Sequence, residues 1–168
     1  TVILDGKNLA KKIQQQLTSS IEAYNKKYSL PPKLVAIIVG DDPASAIYVA
    51  NKAKSCKKTG IESEVIQKPS DLSEIELIKM IDTLNQDPTV NGILVQLPLP
   101  KHINSQNIIE RIHPDKDVDG FHPENLGRMM LGLPTYISAT PNGILELLKR
   151  NGITTSGKHC VVVGRSNI

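Results

Sequence analysis

The sequence predicts an α/β fold in three layers, with a mostly parallel sheet between helices and a second unit begun near residue 141 and cut short. Three observations lead there. Strand-like and helix-like patterns alternate along the chain, as they do in βαβ units. The runs 34–39 and 92–95 are apolar at successive positions rather than alternate ones, as in strands covered on both faces. Residues 158–164, Lys-His-Cys-Val-Val-Val-Gly, read as a further buried strand broken by glycine. A strand ending this way usually opens a loop whose backbone amides, with the next helix, hold a pyrophosphate.

Taken in order, Leu9, Ile13, Leu17, Ile21 and Tyr24 recur at helical spacing after the Asp5-Gly6 turn and give a long amphipathic helix. The run 34–39 is a buried strand ending at Gly40. Residues 44–59 form a helix closed by Gly60, and 62–67 a strand. Ser73 and Glu76 are spaced as a capping box that starts a helix through Leu84. A third strand, 92–96, is ended by Pro98 and Pro100, and a helix over 104–111 follows. Residues 113–125 read as irregular and polar. Thr140 and Pro141 look like an N-cap and first helical residue, opening a helix over Ile144, Leu147 and Leu148 that Gly152 ends. These readings divide the chain into a domain of residues 1–140 and a hinge helix, strand and glycine loop at 141–168.

Composition narrows the class. The 168 residues carry a formal net charge of +3, with four Tyr, one Phe, no Trp and two Cys. Lys and Arg interleave with Asp and Glu, which argues against a nucleic-acid surface. Cys56 and Cys160 show neither CxxC pairing nor metal-ligand spacing and read as reduced thiols of a cytoplasmic protein. No run approaches a membrane span.

Five positions in the first unit could carry chemistry. Ser45, Tyr48 and Lys52 lie at i, i+3 and i+7, so one helix face presents all three just past the carboxyl end of the 34–39 strand, where open α/β sheets place ligands. A lysine among packed apolar groups can act as acid or base, although spacing alone favours a surface lysine. Gln96 ends the third strand and could orient that lysine, bind substrate or satisfy a loop. Asp119, in Lys116-Asp117-Val118-Asp119-Gly120, could bind a ring N–H and amino group or serve a turn. Asp117 and Asp119 point to opposite sides of an extended backbone, so at most one faces a pocket. Gly164-Arg165-Ser166 departs from G-x-G-x-x-G, and Arg165 suits an extra phosphate on an adenosine ribose.

Together these pieces resemble the methylenetetrahydrofolate dehydrogenase/methenyltetrahydrofolate cyclohydrolase family. The resemblance is carried by Ser45-Ala46-Ile47-Tyr48-Val49-Ala50-Asn51-Lys52, Gly92-Ile93-Leu94-Val95-Gln96-Leu97-Pro98-Leu99-Pro100 and Lys116-Asp117-Val118-Asp119-Gly120-Phe121. It continues through Asn125-Leu126-Gly127-Arg128, Thr140-Pro141-Asn142-Gly143 and Val161-Val162-Val163-Gly164-Arg165-Ser166. It implies NADP-dependent oxidation of 5,10-methylenetetrahydrofolate and hydrolysis of the methenyl product to 10-formyltetrahydrofolate, by a homodimer in the full-length protein. It also implies that Tyr48 stacks on the folate, Lys52 is the central catalytic residue, Gln96 orients it and Asp119 anchors the pterin. Ser45 would join the substrate site. Gly164, Arg165 and Ser166 would contact NADP from the start of a Rossmann-type domain, with Thr140 near the hinge. Ser138-Ala139 stands where the family usually has Pro-Cys, a change expected to alter local packing only. The competing expectation is a folate-binding fragment that retains only hydrolysis, or no turnover, because the cofactor domain is incomplete.

Overall fold

Period-2 geometry explains why the central strand is apolar at every position. In the computed structural model, which describes residues 3–165, strand β1 (Lys33–Val39) sends Val35, Ile37 and Val39 to one face and Ala36 and Ile38 to the other, all buried. Strands β2 (Glu62–Lys68) and β3 (Gly92–Val95) pair with it in parallel, in the order β2-β1-β3. The β3 residues are buried throughout. The β2 sequence Glu-Ser-Glu-Val-Ile-Gln-Lys is mostly exposed, as suits an edge strand guarded by charge.

Helices cover both faces. Helix α2 (Pro43–Thr59) sets Val49 against Ala36, Ile38 and Leu94. Helix α3 (Glu74–Gln86) sets Leu77 and Ile81 into the opposite cluster with Val35, Ile37 and Ile93, and Ile108 of α4 (Ser105–Arg111) joins them. The long first helix, α1 (Gly6–Tyr28), packs on α2 rather than on the sheet. Of its apolar stripe only Ile21 is fully buried. Chain economy follows from these placements: β1 leads through α2 to β2 on one side, and β2 leads through α3 across β1 to β3 on the other. The carboxyl ends of β1 and β3 therefore flank a topological switch point, the crevice where such sheets take ligands.

The capping box is formed. Ser73 Oγ accepts from the Glu76 amide, and the Glu76 carboxylate accepts from Ser73 N at 3.1 Å. Side chains then lock α3 to α4. Glu74 accepts from Asn104 N at 2.6 Å and Asn107 Nδ2 at 2.8 Å, and these bonds hold its carboxyl below the usual range. Asp82 takes both Arg111 Nε and Nη2 as a fork.

Three expectations are corrected. Residues 113–125 are not irregular throughout: a 3-10 turn (Pro114–Lys116) leads into helix α5 (Pro123–Met130), with His122 at its N-cap and Pro123 at its first position. The last helix, α6 (Ala139–Arg150), starts ahead of Thr140, with Ser138 at its N-cap making no side-chain bond. Proline is tolerated anywhere in a first turn, where backbone N–H groups have no intrahelical partner, so Thr140-Pro141 did not fix the boundary. Residues 158–163 form no strand. Val161, Val162 and Val163 are exposed, and among the described residues no strand lies beside them to supply a ladder. None of the described helices is long and apolar enough to cross a membrane.

Candidate active site

The site is built at the β1–β3 crevice. Beyond β1 the chain turns at Gly40, and α2 begins at once because Asp42 caps it, accepting from Ser45 N at 2.7 Å with Pro43 in the first turn. Hydrogen bonds from Ser45 hold the Asp42 carboxyl below its ordinary range. This start sets the phase of the helix. Val49 faces the sheet, and Ser45 and Cys56 are buried on α2, whereas Tyr48 is 60% exposed at the crevice end. Ser45 thus lies at the buried edge of the surface that bears Tyr48 and Lys52. Burial pushes the Cys56 thiol up, which disfavours its reactive thiolate form.

One turn beyond Tyr48, the half-buried Lys52 donates through Nζ to Gln96 Oε1 at 3.5 Å. Gln96 follows β3 directly, and its amide N–H bonds Ile37 O of β1 at 2.9 Å, so the strand pairing fixes its position. Its side-chain Nε2 donates to Leu97 O at 2.7 Å, which commits the nitrogen and leaves the oxygen for Lys52. The lysine is thus held by a neutral amide.

Asp119 is the third member. Burial drives its carboxyl toward the protonated form, the Lys52 ammonium opposes that across the crevice, and the Asp117 charge adds to it. The backbone is not extended here: Val118 and Asp119 form a turn closed by the Gly120 N–H to Asp117 carbonyl bond at 3.2 Å, and that turn gives the two acids different surroundings. Asp117 is buried on the inner side, bridged to Ile93 of β3, and its Oδ2 accepts from His122 N at 2.8 Å and Asn125 Nδ2 at 2.9 Å. Asp119 is left toward Lys52.

The candidates in the last part of the chain are not gathered there. Thr140, Gly164 and Arg165 are exposed, and among the described residues no hydrogen bond joins them to Lys52, Gln96 or Asp119. Ser166 lies outside the described residues. Nothing approaches the position a Gly164 Cβ would take.

Sequence reasoning passed over several supporting residues. Lys116 donates to the carbonyls of Leu84, Asn85 and Asp87 at 2.9, 2.8 and 2.7 Å and so closes the carboxyl end of α3. Asn125 and Gly120 also hold the Asp119 loop. Spacing gave no signal for Asn125 beyond its place in the motif Asn125-Leu126-Gly127-Arg128, and for Gly120 only the turn chemistry of the Asp-Gly pair.

With the geometry in hand, comparison with known proteins is direct. The model for the tetrahydrofolate dehydrogenase/cyclohydrolase catalytic domain matches residues 4–119, and that for the NAD(P)-binding domain of the same family matches 138–168. The bifunctional protein FolD of Chloroherpeton thalassium is 54% identical over 99% of this chain and 58% of its own length. That of Porphyromonas gingivalis is 51% identical over 99% of this chain and 56% of its own length. The chain therefore spans little more than half the length of these relatives. Among solved structures, the Campylobacter jejuni FolD dehydrogenase/cyclohydrolase superposes with a TM-score of 0.96 at 45% identity, over 99% of this chain and 59% of that one. The Trypanosoma brucei enzyme, solved with NADP and an inhibitor, gives a TM-score of 0.89 at 30% identity, over 94% of this chain and 54% of that one. This chain belongs to the tetrahydrofolate dehydrogenase/cyclohydrolase family.

Proposed function

We propose that the protein oxidises 5,10-methylenetetrahydrofolate with NADP and hydrolyses the resulting methenyl cation to 10-formyltetrahydrofolate. The observation that carries this reading is Lys52 held by the Gln96 amide at the carboxyl end of the parallel sheet, with Asp119 half-buried beside it. Membership of the family supplies the substrate class.

The three side chains suit the two steps differently. The exposed Tyr48 ring, next to Lys52 on α2, offers a flat surface on which the folate ring system stacks. Asp119 binds the pterin through its ring N–H and amino group. The oxidation needs no protein base, only the methylene carbon held at reacting distance from the hydride acceptor. NADP, when bound, supplies that acceptor. Hydrolysis needs more. Water adds to the positively charged methenyl carbon, the adduct releases one proton to solvent, and as the bond to N5 breaks the remaining hydroxyl proton passes to N5, which leaves the formyl group on N10. Lys52 would relay the hydroxyl proton from oxygen to N5, and Gln96 would keep its amine aimed at the crevice. A carboxylate at position 96 would hold the lysine charged and spoil it as a base.

The cofactor would be held from the other side. Gly164 leaves open space for an approaching phosphate, and the Arg165 guanidinium suits the added negative charge that distinguishes NADP from NAD. Ser166 would add a hydroxyl and Thr140 would lie near the hinge. In this reading residues 1–140 form the folate-binding domain and 141–168 the start of the cofactor domain, within a cytoplasmic homodimer. The test is to supply the intact protein with 5,10-methylenetetrahydrofolate and either NADP or NAD. Reduced nicotinamide should form faster with NADP, followed by 10-formyltetrahydrofolate. No reduction with either cofactor would refute the dehydrogenase reading.

A further inference from the structure

The loop that carries Asp119 is tied down by residues that make no hydrogen bond to Lys52 or Gln96. Asn125, buried in α5, donates through Nδ2 to Asp117 Oδ2 at 2.9 Å and to Pro114 O at 3.0 Å. Its Oδ1 accepts from Thr135 Oγ1 at 2.7 Å. Every polar atom of the Asn125 side chain is therefore used, and the buried Asp117 carboxylate has its partners supplied by α5. Such a chain has one geometry, because losing any link leaves a buried polar atom unpaired.

Two glycines close the remaining freedom. A Cβ at Gly92, the first residue of β3, would lie 2.5 Å from Val118 Cγ1, so Val118 sits directly on the strand. Gly120 has φ +70°, and a Cβ there would lie 2.9 Å from Tyr136 O and 3.0 Å from Ser138 N. The segment after Thr135 therefore passes directly against the turn that follows Asp119. Asp119 is thus set from below by Asp117–Asn125–Thr135 and from the side by the 136–138 backbone.

We propose that Thr135 and Asn125 are positioning residues for Asp119, acting through Asp117 to set the direction of the folate-binding carboxylate. The proposal rests on the folate reading of the site. It assigns a role in substrate affinity to a hydroxyl on the linker before α6 whose side-chain hydrogen bonds are to Asn125. Because the link acts on binding of the pterin and not on hydride or proton transfer, its loss should raise KM and spare kcat.

The test is a double-mutant cycle in the intact protein, using Thr135→Val, Thr135→Ser, Asp119→Asn and the Thr135→Val/Asp119→Asn pair. Thr135→Val should raise KM for 5,10-methylenetetrahydrofolate about tenfold, the scale of one lost buried hydrogen bond, with kcat within about twofold. Thr135→Ser, which keeps the hydroxyl, should restore wild-type KM. In the Asp119→Asn background Thr135→Val should add little, since the residue it positions is already altered. An unchanged KM in Thr135→Val, a serine variant as impaired as the valine one, or fully additive effects would each overturn the proposal. Failure of the folate reading is separately visible: wild-type protein would then show no turnover of this substrate, and the proposal would fall with it.

Discussion

Asp119 is costly to fold and useful once folded, and the two properties separate by mutation. Its carboxyl is raised by burial above the value it has in the unfolded chain. Between those two values the native state holds a proton that the unfolded state has lost, so stability falls as pH rises through that window. Asp119→Asn removes the titration. Melting temperature followed from pH 4 to pH 8 should show the variant gaining on wild type toward the alkaline end, while its affinity for folate drops. A gain confined to acid pH would contradict the assignment. Gly120→Ala should cost about 1–3 kcal/mol in denaturant unfolding, because φ +70° and the Tyr136 carbonyl both exclude a side chain. At this scale spacing alone left Lys52 a surface lysine and Gln96 an amide with several uses, and it was the resemblance to a family that singled them out. Spacing was silent on Lys116 and Asn125, whose partners lie 29 and 11 residues away for the Asp87 and Pro114 carbonyls. Long-range backbone acceptors leave no local pattern.

Elements were legible in proportion to how much of their cause is local. The Ser73 and Glu76 capping box, the Gly60 end of α2 and the apolar β1 and β3 runs lie where the spacing put them. Helix α5 was not seen because its signal, His122-Pro123-Glu124, sits inside a stretch otherwise rich in polar and turn-forming residues. The 158–163 run failed for the opposite reason: its β-branched residues favour a strand, but a strand exists only beside a partner edge. Two substitutions test the local causes in α3. Ser73→Ala removes one side of the capping box and should lower stability by about 1 kcal/mol in urea unfolding. Lys116→Met leaves three carbonyls at the other end of the helix without their donor and should cost about 2–3 kcal/mol in the same experiment. Equal stability of Lys116→Met and wild type would show that those carbonyls turn to solvent instead.

For the whole molecule, the parallel sheet explains why the chemistry gathers where it does. Crossing from β2 over β1 to β3 opens a crevice between two strand ends, and each wall contributes one member: α2 brings Lys52, and β3 leads directly into Gln96. The loop running beside β3 brings Asp119 to the same place. In the proposed reading this arrangement separates binding from proton transfer: Tyr48 and Asp119 would hold the folate while Lys52 would move the proton. The decisive measurement is hydrolysis of 5,10-methenyltetrahydrofolate by Lys52→Met protein, made beside equilibrium binding of the same folate. Binding should stay within a few-fold of wild type while hydrolysis is lost. Near-wild-type hydrolysis in that variant would contradict the role given to Lys52 and, with it, the reading of the site.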